Sequence, residues 1–153
     1  MKWLTKDGAL DRDCRGCLRS TAWCFPDEGS DYADKVLVAL DGVSVPVPAI
    51  WSLEVANGIL VGERSRRLHQ PEIQRFSTLR QNLSVVQDAQ PAEENLTNVL
   101  PLAREYGLSA YDAAYLEISL RPSAPLATSD QKLEKAARRA GARLLASVSD
   151  PPR

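Results

Sequence analysis

Short apolar stretches rich in β-branched residues alternate along this chain with longer stretches of helical periodicity. Strands are predicted at VSVPVP, SVVQ, APLAT and ARLLAS. Helices are predicted at DYADKVLVALDG, at residues 49–66, and at PEIQRFSTLRQNL, PAEENLTNVLPLAREYG, SAYDAAYLEISL and DQKLEKAARRAG. Strands that alternate with helices are typical of a parallel sheet covered on both faces. The predicted fold class is therefore α/β.

Glycine and proline mark several of the predicted boundaries. Gly42 ends the first helix, Pro71 opens the third within its first turn, and Gly141 follows the last helix. Pro101 lies inside the fourth helical stretch, which we expect to be kinked or broken there because proline lacks an N–H and clashes with the preceding turn. The prolines of VSVPVP are expected to end that strand.

The composition indicates one globular domain with little net charge. With 153 residues and 44% hydrophobic content, the chain is long enough to bury a single core. Because 19 Lys and Arg are balanced by 20 Asp and Glu, any phosphate-binding region would have to be local. The first residues contain no continuous apolar leader, and no apolar run approaches the length of a membrane span. We therefore expect a cytoplasmic protein.

The three cysteines do not form a disulfide framework. Cys14, Cys17 and Cys24 are odd in number, so at least one is unpaired, which is typical of a reducing compartment. Cys14 and Cys17 have the C-x-x-C spacing, but no second pair follows and the only histidine is His69. Ordinary reduced thiols are therefore favoured over a zinc or redox site.

Three carboxylates each stand alone in an otherwise uncharged segment. Glu54 is the only charged residue from 43 to 62, Asp112 the only one between 106 and 116, and Asp130 follows an uncharged stretch from 122 to 129. In parallel sheets, ligands bind beyond the carboxyl ends of the strands, where helix starts converge. The sequence therefore marks Glu54, Asp112 and Asp130 as candidate site residues.

Each acid also has a structural interpretation. Ser109 and Asp112 fit the S-x-x-D capping pattern, and Asp130 immediately precedes a helix, where Asp is a favoured N-cap. Glu54 is expected a turn or more inside its helix, so capping does not account for it, although it could face solvent. Asn57 is the one polar residue on the same stripe, three positions later.

Carboxylates without histidine or thiol partners favour hard cations, so Mg²⁺ or Mn²⁺ is the expected cofactor. Such an ion can polarise a phosphoryl oxygen and activate water for phosphodiester hydrolysis. A single histidine disfavours a serine or cysteine triad. The chain also lacks the glycine-rich motifs G-x-x-x-x-G-K-[ST] and G-x-G-x-x-G that cradle nucleotide phosphates.

Three segments, PAIWSLEVANGILVGERSRRL, GLSAYDAAYLEISL and PLATSDQKLEKAARRAGARLL, resemble the carboxy-terminal motif blocks of PIN-domain ribonucleases. The resemblance is to the VapC-like toxins of bacterial toxin–antitoxin pairs, and AWCFPDEGSDYADKVL is similar to that family's first strand end and first helix. The resemblance covers about residues 22–146. We therefore divide the chain into a divergent segment 1–21, a PIN-like domain 22–148 and a tail 149–153.

The resemblance implies a three-layer α/β/α sandwich around a short, mainly parallel sheet. It also implies a Mg²⁺- or Mn²⁺-dependent endoribonuclease that cleaves RNA, forms homodimers and is blocked by a cognate antitoxin. By position it assigns Glu54, Asp112 and Asp130 to the metal site and Thr128 to its support.

The amino-terminal segment departs from the family pattern. The family's first strand ends in an aspartate about seven residues before the position of Trp23, and counting back reaches Gly16. Asp11 and Asp13 are weak substitutes, and we hypothesise that residues 1–21 are a divergent or frame-altered replacement. Two functions therefore stay open: an active endoribonuclease, and a catalytically impaired module that binds antitoxin or RNA. A small-molecule phosphohydrolase ranks last because no nucleophile-loop signature is present.

Other residues near the acids have both a functional and a structural interpretation. Two basic clusters could contact RNA phosphates, although cations on exposed helix faces are ordinary. They comprise Arg64, Arg66 and Arg67, and Lys132, Lys135, Arg138 and Arg139. Trp51 and Tyr111 could stack on bases, but core packing is favoured for both.

Overall fold

The computed structural model of the protein describes residues 17–19, 40, 42–121 and 124–145. In this part of the chain the strands are β1 (Cys17–Arg19), β2 (Ser44–Val47), β3 (Ser84–Gln87) and β4 (Leu126–Thr128). The helices are α1 (Trp51–Arg64), α2 (Gln70–Asn82), α3 (Ala92–Glu94), α4 (Leu100–Tyr106), α5 (Ala110–Ser119) and α6 (Gln131–Ala140). The predicted α/β class is confirmed by this order of elements.

The strands form two parallel pairs. In one pair β1 runs beside β4, with Cys17 opposite Leu126, and in the other β2 runs beside β3, with Ser44 opposite Ser84. β1 also contacts β2, so the two pairs lie next to each other. On the other side of β4, Leu144 forms a single parallel bridge to Leu126. That bridge is the described part of the strand predicted at ARLLAS.

β1 is a strand that the sequence pattern does not predict. It lies inside the segment 1–21, where the hydrophobic pattern of a strand is missing, yet it pairs with β4 over three residues. Parallel pairing with β4 therefore organises these residues despite their weak strand propensity. Asp11, Asp13 and Gly16 lie outside the described residues, as does most of the helix predicted at DYADKVLVALDG.

The main core is built around α5. Half of its residues are buried, namely Ala113, Tyr115, Leu116, Ile118 and Ser119. All of these except Ser119 belong to one apolar cluster that also includes side chains from β2, β4 and α6. A smaller cluster of Leu68 and Phe76 packs against Val55 and Ile59 and holds α2 on α1. The two acids of α5, Asp112 and Glu117, lie outside its buried face.

Proline shapes two elements in ways that local rules explain. The α-helical stretch expected to be kinked or broken near Pro101 is interrupted by a π-helical turn (Asn95–Val99) between α3 and α4. The wider turn removes the hydrogen bond that Pro101 cannot make. Pro46 lies within β2 rather than ending it, opposite Val86, so the prediction that proline would end this strand is wrong for Pro46. In the described residues β2 hydrogen-bonds to β3 alone, which is compatible with a missing donor on its other edge.

No helix in the described part of the chain has the length and apolar character needed to cross a membrane.

Candidate functional site

Glu54 lies in the first turn of α1, which begins at Trp51. Its half-buried side chain accepts a hydrogen bond through Oε2 from the Tyr115 hydroxyl at 2.5 Å. The expectation that Glu54 sits a turn or more inside its helix is therefore wrong. The helix starts two residues later than predicted because Ala49 and Ile50 form a turn, in which the Trp51 amide donates to the Pro48 carbonyl at 2.9 Å.

Asp112 lies in the first turn of α5 and forms two hydrogen bonds with Ser109, the N-cap residue. The Asp112 amide donates to Ser109 Oγ at 3.1 Å, and that hydroxyl donates to Asp112 Oδ2 at 2.7 Å. A hydroxyl can do both because it is a donor and an acceptor. The predicted S-x-x-D cap is confirmed, although the carboxylate accepts from the hydroxyl rather than from the Ser109 amide. The second oxygen, Oδ1, is shielded from solvent.

Asp130 is the N-cap of α6, as predicted. Its Oδ1 accepts from the Lys132 amide at 2.8 Å and the Leu133 amide at 2.9 Å. The Asp130 amide in turn donates to Oγ1 of Thr128 at 3.0 Å, and Thr128 is only 7% exposed at the end of β4. The buried threonine hydroxyl therefore fixes the backbone at which the Asp130 side chain begins.

The three acids share a structural context, since each lies at the amino-terminal end of a helix, where the helix dipole favours negative charge. Tyr115 follows Asp112 by three residues on α5, so Glu54 contacts the side of α5 that carries Asp112. α5 also packs against β4, which leads into Asp130, and against α6. Asn57, the polar residue on the Glu54 stripe that we expected to support the site, is exposed on α1.

The donor set of these residues consists of oxygen atoms alone. Carboxylates of Glu54, Asp112 and Asp130, with the hydroxyl of Thr128 nearby, match the preference of Mg²⁺ or Mn²⁺. Within the residues that the structure describes, no three His, Cys, Asp or Glu side chains come close enough together to form a ligand group. The structure thus brings Glu54 into contact with Tyr115 on the helix that carries Asp112, and Asp130 follows a strand that packs against that helix.

Tyr115 contacts the candidate site, and the sequence analysis did not single it out. A tyrosine buried to 1% exposure in an apolar core needs a partner for its hydroxyl, and here the partner is a carboxylate 61 residues away. The available signal was its position three residues after Asp112 in an otherwise apolar helix, which places both side chains on one face.

A cleft of about 340 Å³ lies on another part of the surface, between the start of α1, the π-helical turn and α5. Tyr111 lines it and is 57% exposed, so the prediction that Tyr111 packs in the core is wrong, whereas Trp51 is buried as predicted. Tyr111 points away from the core because the buried face of α5 is occupied by Tyr115 and Leu116.

Arg121 forms ion pairs that connect the end of α5 to the residue after β3. Its guanidinium contacts both oxygens of Asp88 at 2.8 and 3.0 Å, and Glu117 Oε2 at 2.6 Å. The hydrogen bond to Asp88 raises the pKa of Arg121 above its ordinary value, with a further contribution from Glu117. The group is a half-buried network that braces the loop beside the cleft.

Some of the basic residues weighed as possible RNA contacts interact within the protein, as the structural interpretation predicts. Arg138 forms an ion pair with Glu134 at 2.8 Å, and Arg139 lies over the Tyr106 ring at 5.4 Å from its centroid. Arg64 is in the last turn of α1, where a cation complements the helix dipole.

Comparison with known proteins supports the fold. The crystal structure of PAE2754 from Pyrobaculum aerophilum is similar to this chain, with a TM-score of 0.55 and 20% sequence identity, over 82% of this chain and 88% of that chain. At this level of identity the likeness concerns the fold alone. No family model matches the sequence. No curated protein matches it either.

Proposed function

We propose that this chain is a PIN-like, Mg²⁺- or Mn²⁺-dependent endoribonuclease, the toxin of a toxin–antitoxin pair. The observation that carries the proposal is the hydrogen bond between Glu54 on α1 and Tyr115 on α5, the helix that has Asp112 in its first turn. This half-buried contact brings Glu54 to the helix that carries Asp112, as a common site would require. Asp130, which follows β4 and is backed by Thr128, would complete the set.

Glu54, Asp112 and Asp130 would hold the divalent ion. When bound, such an ion supplies Lewis-acid chemistry for phosphodiester hydrolysis. The protein's own contribution is to hold its carboxylates in place: Ser109 orients Asp112 through Oδ2, and the amides of α6 orient Asp130 through Oδ1. Preorganised ligands of this kind do not have to be immobilised when the ion binds.

The fold that we propose is a three-layer α/β/α sandwich around one short, mainly parallel sheet. Support comes from the contact between β1 and β2, which brings the two parallel pairs side by side in the order β3, β2, β1, β4. The expected partners are RNA, a cognate antitoxin and a second copy of the chain, and the expected compartment is the cytoplasm. These follow from the sequence resemblance.

A catalytically impaired module that binds antitoxin or RNA without cleavage is the alternative. It is favoured by Gly16, which stands where the family has its first aspartate. It is also favoured by the spacing of the acids, since the described residues contain no ligand group of three.

One experiment separates the two functions. Mn²⁺ binding is measured by calorimetry on the wild type and on Asp112→Asn, and cleavage of a structured RNA is followed in the same samples. The Asn amide can still accept the Ser109 hydrogen bond, so the variant should fold. Glu63→Gln, an exposed acid at the far end of α1, is the control.

An enzyme requires wild type and Glu63→Gln to bind Mn²⁺ and cleave, and Asp112→Asn to do neither. If folded wild type binds no Mn²⁺ at millimolar concentration, the endoribonuclease proposal is refuted. The alternative then requires RNA or antitoxin binding without cleavage.

A further inference from the structure

The hydrogen bond between Tyr115 and Glu54 joins a rigid donor to a flexible acceptor. Glu54 has three side-chain torsions and lies on a half-buried helix face, so its carboxylate is not fixed by packing alone. Tyr115 is 1% exposed and belongs to the main core cluster, and a buried aromatic ring has few torsions to vary. Its hydroxyl is therefore held in place by the core.

We infer that Tyr115 is a positioning residue, which holds the Glu54 carboxylate in the orientation needed to bind a divalent cation. This inference rests on the proposed function. An ionised carboxylate only accepts hydrogen bonds, so the phenol is the donor. The interaction leaves the negative charge on Glu54, as a cation ligand requires.

The placement of Tyr115 on α5 adds a second consequence. Asp112 lies three residues earlier on the same helix, so one rigid element carries both Asp112 and the group that orients Glu54. A displacement of α1 relative to α5 would then alter the relative positions of the two carboxylates. Groups that orient metal ligands in this way usually contribute about 10- to 100-fold to metal affinity.

A purely structural bridge between α1 and α5 is the competing interpretation, and it predicts a different result. Loss of a bridge lowers the melting temperature of the metal-free protein without altering the intrinsic affinity for the ion. Loss of a positioning group weakens ion binding even in protein that is fully folded. The affinity for Mn²⁺ at a temperature well below the unfolding transition is therefore the deciding measurement.

The test compares Tyr115→Phe, which removes only the hydroxyl, with Tyr111→Phe, which makes the same change at an exposed position of the same helix. Mn²⁺ dissociation constants are measured by calorimetry, and circular dichroism verifies that each protein is folded. We expect Tyr115→Phe to bind Mn²⁺ about 10- to 100-fold more weakly than wild type and Tyr111→Phe to match wild type. An unchanged Mn²⁺ affinity in folded Tyr115→Phe overturns the inference, even if the melting temperature falls.

A second variant tests whether the two side chains act through one interaction. Glu54→Asp retains the charge but withdraws the carboxylate from the hydroxyl by one methylene. It should itself lose Mn²⁺ affinity, and Tyr115→Phe should cause a smaller further loss in the Glu54→Asp background than in the wild type, because the hydrogen bond is already absent there. Fully additive losses would contradict the inference. Absence of Mn²⁺ binding in wild type would instead refute the proposed function, and with it any role for Tyr115 in positioning a metal ligand.

Discussion

Asp130 has a structural role and a proposed functional role, and two substitutions separate them. Its Oδ1 accepts from the amides of Lys132 and Leu133, which are two of the four donors that a helix start leaves without partners inside the helix. Asp130→Ala removes this acceptor and the charge together. Asp130→Asn keeps a side chain of the same length with an oxygen acceptor, and removes only the charge.

The structure sets the expected size of each effect. Replacing an N-cap residue with alanine costs about 1 kcal/mol, and losing a negative charge at a helix start costs about 0.5 kcal/mol more. In a domain of this size each kcal/mol corresponds to roughly 2–4 °C. The melting temperature should therefore fall by about 3–6 °C in Asp130→Ala and by about 1–2 °C in Asp130→Asn.

Metal binding should rank the same proteins differently. If the Asp130 carboxylate is a ligand, Asp130→Asn loses Mn²⁺ affinity as severely as Asp130→Ala does, although it keeps most of the stability. Thermal unfolding by circular dichroism and calorimetry with Mn²⁺ provide the two measurements, with the exposed neighbour change Ser129→Ala as the control. The capping argument is refuted if Asp130→Asn and Asp130→Ala have the same melting temperature. The ligand assignment is refuted if Asp130→Asn retains wild-type Mn²⁺ affinity.

Two further predictions concern the stability of the fold. Arg121→Ala should lower the free energy of unfolding by about 2–3 kcal/mol, since it leaves two carboxylates, each 19% exposed, without their cation. Arg121→Lys should recover only part of this loss, because an ammonium group cannot contact both carboxylate oxygens as a guanidinium does. Urea unfolding measures both variants. A loss under about 0.5 kcal/mol in Arg121→Ala would show that the network is an ordinary surface ion pair. Leu116→Ala, at a position with 0% exposure, should cost about 3 kcal/mol, whereas Leu120→Ala, 41% exposed at the end of the same helix, should cost less than about 1 kcal/mol. Equal losses in urea unfolding would contradict the assignment of α5 to the core.

The features that could be predicted from the sequence are those determined within a few residues. The Ser109–Asp112 cap, the Asp130 cap and the Pro71 helix start each depend on neighbours no more than three positions away. The break before Pro101 is of the same kind, because the missing N–H acts on the turn that contains it. Interactions of this kind can be predicted from the sequence, because they do not depend on what the chain packs against.

The sequence shows which residue types are available for the candidate site, and the tertiary structure determines which of those residues are in contact. Three lone carboxylates are visible in the sequence, but the contact between Glu54 and Tyr115 joins residues 61 positions apart and exists only because the tertiary fold brings these two side chains together. Likewise, the exposure of Tyr111 was decided by which face of α5 turned toward the core.

β1 shows the same division most clearly. Its three residues have no strand pattern of their own, and pairing with β4, more than 100 positions later, makes them a strand. Periodicity reports which side of an element is apolar, whereas the neighbour that covers it depends on the order of the strands and the packing of the whole domain. The sequence alone therefore determined most of the elements, the caps of α5 and α6 and the candidate acids, and the tertiary structure decided that β1 is a strand and that Glu54 contacts the helix that carries Asp112.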